Sequence, residues 1–136
     1  MTFDLKPSIN SSLDLYVKAV LGRKAFNLVL LDVRELTSIA DVFIICSGRS
    51  NRQVAAIAEF IQMDLKKIGI KPLSEEGAKE GLWVILDYDH VIIHIFYEPI
   101  RNFYDLEGLW IDAKKIKTQS LMDFKEENLE TEEFDE

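Results

Sequence analysis

Two short runs of apolar, largely β-branched residues most constrain the fold of this chain. Residues 42–47 (VFIICS) and 91–96 (VIIHIF) carry apolar side chains at consecutive positions instead of alternating ones. A strand with this pattern is buried on both faces, as in the interior of a sheet that is covered on both sides. The two runs therefore predict central strands of a sheet with elements packed against it.

A helical pattern follows the first of these runs. Ser50 or Asn51 can cap the helix, because a polar side-chain oxygen accepts hydrogen bonds from the free N–H groups of the first turn. Gly69 ends the pattern. One apolar stripe runs along the helix, formed by Val54, Ile57, Ala58, Ile61, Leu65 and Ile68. Strand, helix and a later strand together favour a right-handed crossover.

The other segments complete a mixed sheet. The turn at 87–90 (DYDH) joins strands 82–86 and 91–96 as an antiparallel hairpin. The remaining predicted elements are a helix capped by Ser11 or Ser12 and ending near 23–25, a strand at 27–33, a short edge strand at 70–73, a polar loop at 74–81, a short helix or turn at 97–101 and a compact aromatic segment at 102–110. We predict an α/β or α+β domain, a mixed β-sheet flanked by helices.

Composition excludes several classes of protein. The net charge is −8 and only 16 of 136 residues are Lys or Arg, so the chain lacks the cation excess with which general nucleic-acid binders hold phosphates. Its one cysteine, Cys46, cannot form an intramolecular disulfide. No apolar run approaches the roughly 18 residues of a membrane span. Since the N-terminal residues lack a signal-peptide or transit-peptide pattern, we expect a cytoplasmic protein.

The negative charge is concentrated at the C-terminal end. Residues 118–136 carry a charge of −7, whereas residues 1–117 carry −1. We predict a nearly neutral folded domain over 1–117 and an acidic, disordered tail over 118–136, because the tail has little apolar surface to offset its ordering entropy. A solubilising role is the simple interpretation of the tail, and a binding role is the alternative.

No group of residues has the spacing of a known catalytic or metal centre. Cys46 lies within an apolar strand and is interpreted as a small buried hydrophobe. His90 and His94 do not share a helical face, and the zinc pattern H-E-x-x-H is absent. A metal site that joins His94 to Asp41 or Asp87 stays open as an alternative.

Two further features have simple explanations. The turn 47–50 (SGRS) lies between a strand and a helix, where backbone N–H groups can bind an anion, but a single glycine is better explained by a capped turn. Asp87 and Asp89 have the spacing of a Mg²⁺-binding pair, yet they lie in a hairpin turn, where solvated acids are common. We therefore expect no catalytic activity, no cofactor and no metal.

Aromatic side chains beside acids are the remaining candidates for function. Alternation predicts that Trp83 and Ile85 share one sheet face, as do Ile92, His94 and Phe96 on the next strand. Only two substantial helices are available, so we expect part of one face to stay open. The segment 102–110 (NFYDLEGLW) adds further aromatic residues. Tyr and Trp often anchor interfaces, although they also fill cores.

Several motifs occur together and in order. They are 31–58 (LDVRELTSIADVFIICSGRSNRQVAAIA), 76–87 (EGAKEGLWVILD) and 91–113 (VIIHIFYEPIRNFYDLEGLWIDA). In this combination the chain resembles the ribosomal silencing factor family, also called Iojap-related or RsfS, from about residue 13 to residue 113. The resemblance implies a mixed-sheet α/β domain that is distantly similar to nucleotidyltransferases but lacks their catalytic acids, since no D-x-D pair follows residues 47–50.

The resemblance also implies a function. Family members bind the large ribosomal subunit through its fourteenth ribosomal protein and sterically block joining of the small subunit, which represses translation when nutrients are scarce. A homodimer is an open alternative, because family members can self-associate. No membrane and no sequence-specific nucleic acid are expected as partners.

The family motifs place the partner-binding region on the second half of the chain. Asp105 and Glu107 would pair with basic residues of the ribosomal protein, while Arg101 would hold the segment in place by pairing with an acid. The expected partner-binding residues are Trp83, Phe96, Tyr104, Asp105, Leu106, Glu107, Leu109 and Trp110. Two alternatives stay open: a nucleotidyltransferase-like enzyme that binds nucleotide and Mg²⁺ near 47–50 with Asp41 or Asp87, and an RNA-binding module of ribosome assembly.

Overall fold

The computed structural model describes residues 7–126, and their side chains from Ser12 onward. The elements are α1 (Pro7–Leu21), β1 (Phe26–Asp32), β2 (Val42–Gly48), α2 (Asn51–Lys66), β3 (Ser74–Glu76), β4 (Trp83–Asp87), β5 (Val91–Tyr97), α3 (Glu98–Tyr104), α4 (Leu106–Leu109) and β6 (Lys114–Lys115). Residues 119–126 are also helical. Among these described helices, none has the length and apolar character needed to cross a bilayer.

The six strands form one sheet in the order β3-β4-β5-β2-β1-β6. β2 and β5 pair in parallel, and the four other pairs are antiparallel. The two parallel strands are the two apolar runs that the sequence placed at the centre of the sheet, and the segment joining them contains α2. The predicted mixed sheet with flanking helices is confirmed, and so is the antiparallel hairpin between β4 and β5.

Several element boundaries differ from the sequence prediction, and two of the differences concern a helix cap and the sheet edge. α1 begins at Pro7, so Ser11 and Ser12 lie inside the helix instead of capping it. The edge strand lies at Ser74–Glu76 and not at 70–73. The ladder with β4 begins at the pair Ser74↔Asp87, and an edge strand with one partner tolerates three exposed polar residues.

One face of the sheet, here called the helix-covered face, packs against α1 and α2. Side chains that alternate along β2 and β5, such as Ile44 and Ile93, are fully buried there. α2 presents its apolar stripe to them and is capped as predicted, with Gln53 N–H donating to Ser50 Oγ. The larger hydrophobic core lies here, with helix residues that include Leu13, Val17, Val20, Val54, Ile57, Ile61 and Leu65.

The opposite face, here called the aromatic face, has a thinner cover. Its strand residues are the alternate set predicted from the sequence, and the short helices α3 and α4 contribute Ile100 and Leu106 to its packing. The smaller core on this side contains Phe43, Ile45, Ile92 and Phe96, with Trp83, Ile85 and Trp110 packed against it. The expected alternation of side chains on β4 and β5 is therefore confirmed.

The described chain continues beyond residue 117 and forms a helix over 119–126. Thr118 and Leu121 are buried, and Leu121 joins the core of the helix-covered face. On α1, the Asp14 carboxylate accepts hydrogen bonds from Ser120 N–H at 3.2 Å and from Ser120 Oγ at 2.9 Å. Residues 119–126 are thus helical, with one apolar anchor and a cap supplied by α1. The disordered tail stays a prediction. Residues 127–136 lie outside the described residues.

Candidate partner-binding surface

Six rings form a continuous row across the aromatic face. In spatial order this aromatic row consists of Phe103, Tyr104, Trp83, His94, Phe43 and Trp110. Neighbouring ring centroids are between 5.0 and 6.0 Å apart, and the rings are tilted or edge-to-face. This is the arrangement that the ring quadrupoles favour. The row links the sheet to the C-terminal end of α3 and to Trp110, which follows α4.

Trp83 occupies the middle of the row. It lies opposite Phe96 in the β4–β5 register, and the two rings stack with centroids 4.8 Å apart. Gly77 shapes the loop before this strand, since its φ of +85° suits glycine and a Cβ there would collide with the Trp83 carbonyl oxygen. This contact explains why Glu-Gly precedes the Trp strand in the sequence.

His94 is the hydrogen-bond partner of that indole. Trp83 Nε1–H donates to His94 Nδ1 at 3.1 Å. Burial lowers the pKa of His94 to about 4, so the ring is neutral near pH 7. Because Nδ1 accepts a hydrogen bond, the proton of the neutral ring resides on Nε2. Nε2 is buried and has no hydrogen-bond partner within the described part of the chain.

The ends of the aromatic row reach the surface. Tyr104 is 51% exposed and Phe103 is 79% exposed, both on α3. At the other end, Leu109 and Ile111 are each 77% exposed on either side of Trp110. Single exposed apolar residues are ordinary, but several of them around one line of contacting rings mark a candidate interaction surface.

A buried polar network fixes α3 and α4 to the sheet. Arg101 donates from Nη1 to the Asn27 carbonyl at 2.7 Å and to Ser47 Oγ at 2.8 Å, and from Nε to Glu107 at 2.8 Å. Glu98 accepts from Ser47 Oγ and from the Asn27 amide. Asn27 has a φ of +52° at an irregularity in the β1–β2 ladder, which turns its carbonyl out of the regular pairing. The predicted pairing of Arg101 with an acid is confirmed.

Three of the predicted partner-binding residues differ from the others in burial or in their contacts within the chain. Phe96 is fully buried and Leu106 is only 8% exposed, so both support the surface from below and do not form part of it. Glu107 is bonded to Arg101, so its charge is already compensated within the chain. The amphipathic turn of α4 explains the difference, because Leu106 faces the core whereas Leu109 faces outward.

The other five predicted residues lie at the surface. Tyr104, Asp105 and Leu109 are exposed, and Trp83 and Trp110 are half-buried. Asp105 adopts a φ of +48° and caps α4 by accepting from Gly108 N–H at 3.2 Å. Of these five residues, Trp83, Tyr104 and Trp110 belong to the aromatic row, and Asp105 and Leu109 are their neighbours in the chain.

Sequence reasoning missed Phe103, Ile111 and Leu82 as surface residues and His94 as the support of Trp83. Residue 82 was predicted to begin a strand, but the strand begins at Trp83 and Leu82 is 41% exposed. Adjacent apolar residues at 103–104 and 109–111 were the available signal, because a short helix or turn cannot bury every member of such a run.

The residues of the alternative enzyme hypothesis are not brought together. Ser47 lies at the C-terminal end of β2, whereas Asp41 precedes Val42 at the other end of the strand, about 20 Å away at the rise of a β-strand. Asp87 pairs with Ile92 at that same far end. Ser47 is bonded to Arg101 and Glu98. Within residues 7–126, no three His, Cys, Asp or Glu side chains are grouped as metal ligands.

Cys46 is confirmed as a buried hydrophobe. Its side chain is inaccessible in the core of the helix-covered face, and burial raises the pKa of the thiol to about 12. A thiol in this state is neither a nucleophile nor a metal ligand.

Comparison with known proteins decides the family. The model of the family described as "Ribosomal silencing factor during starvation" (RsfS) matches residues 6–136 of the chain. The chain belongs to the RsfS family. A Ribosomal silencing factor RsfS from Halalkalibacterium halodurans is 36% identical over 110 residues, which cover 81% of this chain and 94% of the relative. The RsfS of Bacillus subtilis is 37% identical over 76% of this chain and 87% of its own length.

A plant relative and two solved structures extend the RsfS comparison. The chloroplastic Iojap protein of Zea mays is 34% identical over 74% of this chain and 43% of its own length. A crystal structure from Chromobacterium violaceum superposes with a TM-score of 0.72 at 32% identity, covering 85% of this chain and 93% of that one. One from Bacillus halodurans gives 0.70 at 34% identity, covering 79% and 97%. The fold described above is therefore that of the RsfS family.

Proposed function

We propose that this chain is a ribosomal silencing factor that binds the large ribosomal subunit through its fourteenth ribosomal protein. By occupying the face that meets the small subunit, it blocks subunit joining and represses translation when nutrients are scarce. The aromatic row with its exposed apolar ends is the observation that carries this proposal. Membership in the RsfS family, whose members are named for ribosomal silencing, supports it.

Steric blocking needs affinity and volume but no chemistry. The aromatic row offers the half-buried Trp83 on the hydrogen-bonded sheet and the exposed Tyr104 on α3, whose ring contacts it. Aromatic side chains of this kind dominate the binding energy of protein interfaces, because each one removes a large area from water at a small cost in conformational entropy. We propose that the protein acts in the cytoplasm and without catalysis.

Charge indicates the nature of the partner. Asp105 and Asp112 are exposed next to the exposed apolar residues of this surface, and Arg101 is buried and bonded to Glu107. A surface that combines exposed carboxylates with aromatic rings fits a partner that presents basic and apolar side chains. Ribosomal proteins are rich in such residues, so the proposed partner matches this surface.

Co-sedimentation with purified large subunits tests the proposal. Trp83→Ala and Tyr104→Ala are each expected to lower the affinity at least tenfold, as truncation of an interface anchor does. Leu73→Ala is the matched control, because Leu73 is 71% exposed but lies beside the edge strand β3, away from the aromatic row. Circular dichroism of each variant verifies the fold.

A subunit-joining assay tests the second half of the proposal. Saturating wild-type protein should suppress formation of the complete ribosome from purified subunits, and Trp83→Ala should restore it. Pull-down of the purified fourteenth large-subunit protein should follow the same ranking of variants. If folded Trp83→Ala and Tyr104→Ala bind and block as well as the wild type, this surface is not the ribosome contact.

A further inference from the structure

The direction of the Trp83 N–H group determines which atoms of the indole a partner can contact. Its only polar atom, Nε1, is bonded inward to the buried His94. The accessible part of the half-buried ring therefore consists of carbon. A partner at this point meets an apolar face and edge, with no donor available for a hydrogen bond.

We propose that His94 is a positioning residue for partner binding, which fixes the plane of the Trp83 indole and withholds its N–H group from the partner. The partner group that packs on Trp83 is then an aliphatic chain or a cation that lies on the ring, and not a hydrogen-bond acceptor. This inference rests on the proposed function for its binding readout, but the arrangement of the two side chains can be tested without the ribosome.

The surroundings of His94 show why packing alone does not account for a histidine here. Its ring contacts Phe43 edge-to-face at 5.2 Å and lies parallel to Phe96 at 6.4 Å, so an apolar side chain would fit the same chemical environment. The histidine instead leaves Nε2 buried without a partner in the described part of the chain, which is unfavourable. What the histidine provides, and an apolar side chain would not, is the Nδ1 acceptor for the indole N–H of Trp83.

Burial also keeps the acceptor available. Since burial lowers the pKa of His94 to about 4, the ring is neutral near pH 7 and Nδ1 has a free lone pair to accept with. If the acceptor is removed, the indole N–H either stays in place without a hydrogen-bond partner or rotates outward and donates to water. Rotation takes the ring out of its stack on Phe96 and changes the surface that the partner meets.

A set of four variants tests this role. His94→Leu removes the acceptor, whereas His94→Asn places an amide oxygen near the position of Nδ1 and can keep the hydrogen bond. Trp83→Phe removes the donor and keeps a ring, and His94→Leu combined with Trp83→Phe completes a double-mutant cycle. In co-sedimentation with large subunits, His94→Leu should lower affinity about tenfold and His94→Asn less than threefold, the scale of one lost hydrogen bond and its unpaired donor.

The cycle separates positioning from general support. In the Trp83→Phe background, His94→Leu should have no further effect on affinity, because no N–H group is left to position. An equal loss of affinity in both backgrounds would show that His94 does not act through Trp83 and would overturn the proposal.

Nuclear magnetic resonance of the free protein supplies the independent readout. The indole N–H of Trp83, assigned by its loss in Trp83→Phe, should exchange slowly with water in the wild type and in His94→Asn, and at least tenfold faster in His94→Leu. Fast exchange in the wild type would overturn the inference directly. Slow exchange without subunit binding by any variant would instead contradict the proposed function, so the two failures are distinguishable.

Discussion

The two faces of the sheet carry similar numbers of apolar strand residues but differ in what covers them. Two helices of 15 and 16 residues close the helix-covered face, whereas helices of seven and four residues lie over the aromatic face. The first side buries aliphatic side chains completely, and the second leaves Phe103, Tyr104 and Leu109 exposed. Stability is therefore expected to depend mainly on one face and recognition on the other.

The largest expected effect is on the helix-covered face. Ile61 is fully buried on α2, and Ile61→Ala removes several methyl and methylene groups from a core that two helices hold in place. We expect a loss of about 2–5 kcal/mol in the free energy of unfolding, measured by urea denaturation followed by circular dichroism. The affinity of the folded fraction for large subunits should not change. A loss of affinity in folded Ile61→Ala would contradict the separation between the two faces.

The second largest expected effect is a loss of stability at low pH, caused by His94, which is buried beneath the aromatic face. The pKa of His94 is about 4 in the folded protein, well below its ordinary value of 6.5, because burial disfavours the charged ring. The unfolded chain therefore takes up a proton at a higher pH than the folded one, and the protein loses stability as the pH falls from about 6.5 toward 4. Between pH 7 and 4.5 this amounts to roughly 2–3 kcal/mol.

Urea titrations at several pH values measure this dependence, and His94→Leu is the control. Without the imidazole, the decline between pH 7 and 4.5 should be smaller by that amount. Asp14 does not interfere, because hydrogen bonds from Ser120 and Thr118 outweigh the effect of burial and hold its pKa below the usual 3.8. Its contribution is lost only at lower pH. An unchanged slope in His94→Leu would show that the ring is not buried as described.

The two faces also differ in how far the sequence predicts them. Consecutive apolar residues in β2 and β5 predict central strands, and alternation assigns Trp83 and Phe96 to one face. The pattern does not distinguish a covered face from an open one, because a strand under long helices and one under short helices have the same apolar period. For this reason Phe96 was predicted to contact a partner, although Trp83 stacks over it.

The polar contacts were less predictable, because they join residues that are distant in the chain. Arg101 meets Asn27 and Ser47, which are 74 and 54 residues away, and no local pattern signals such a contact. The sequence therefore did not indicate that Glu107 is the acid that pairs with Arg101. The helical segment 119–126 was missed for a similar reason, since Leu121 packs against core residues of the helix-covered face that are distant in the chain.

The smallest change in stability is expected for a substitution on α4, where two leucines differ in burial. Leu106 and Leu109 lie one turn apart on α4, but Leu106 is 8% exposed whereas Leu109 is 77% exposed. Leu109→Ser should change the free energy of unfolding by no more than about 0.5 kcal/mol, because its side chain is already in water. Leu106→Ser leaves a cavity and a buried hydroxyl, so a loss of about 2–4 kcal/mol is expected in the same urea titration.

The two substitutions should have the opposite order of effect on the affinity for large subunits. Leu109→Ser removes apolar area from the surface proposed to meet the ribosomal protein, so its affinity for large subunits should fall about fivefold while its stability is unchanged. The folded fraction of Leu106→Ser keeps the exposed side chains, and its affinity should change less. If both substitutions instead lower stability and affinity in parallel, the aromatic face is a single cooperative unit, and the division of tasks between the two faces of the sheet does not hold.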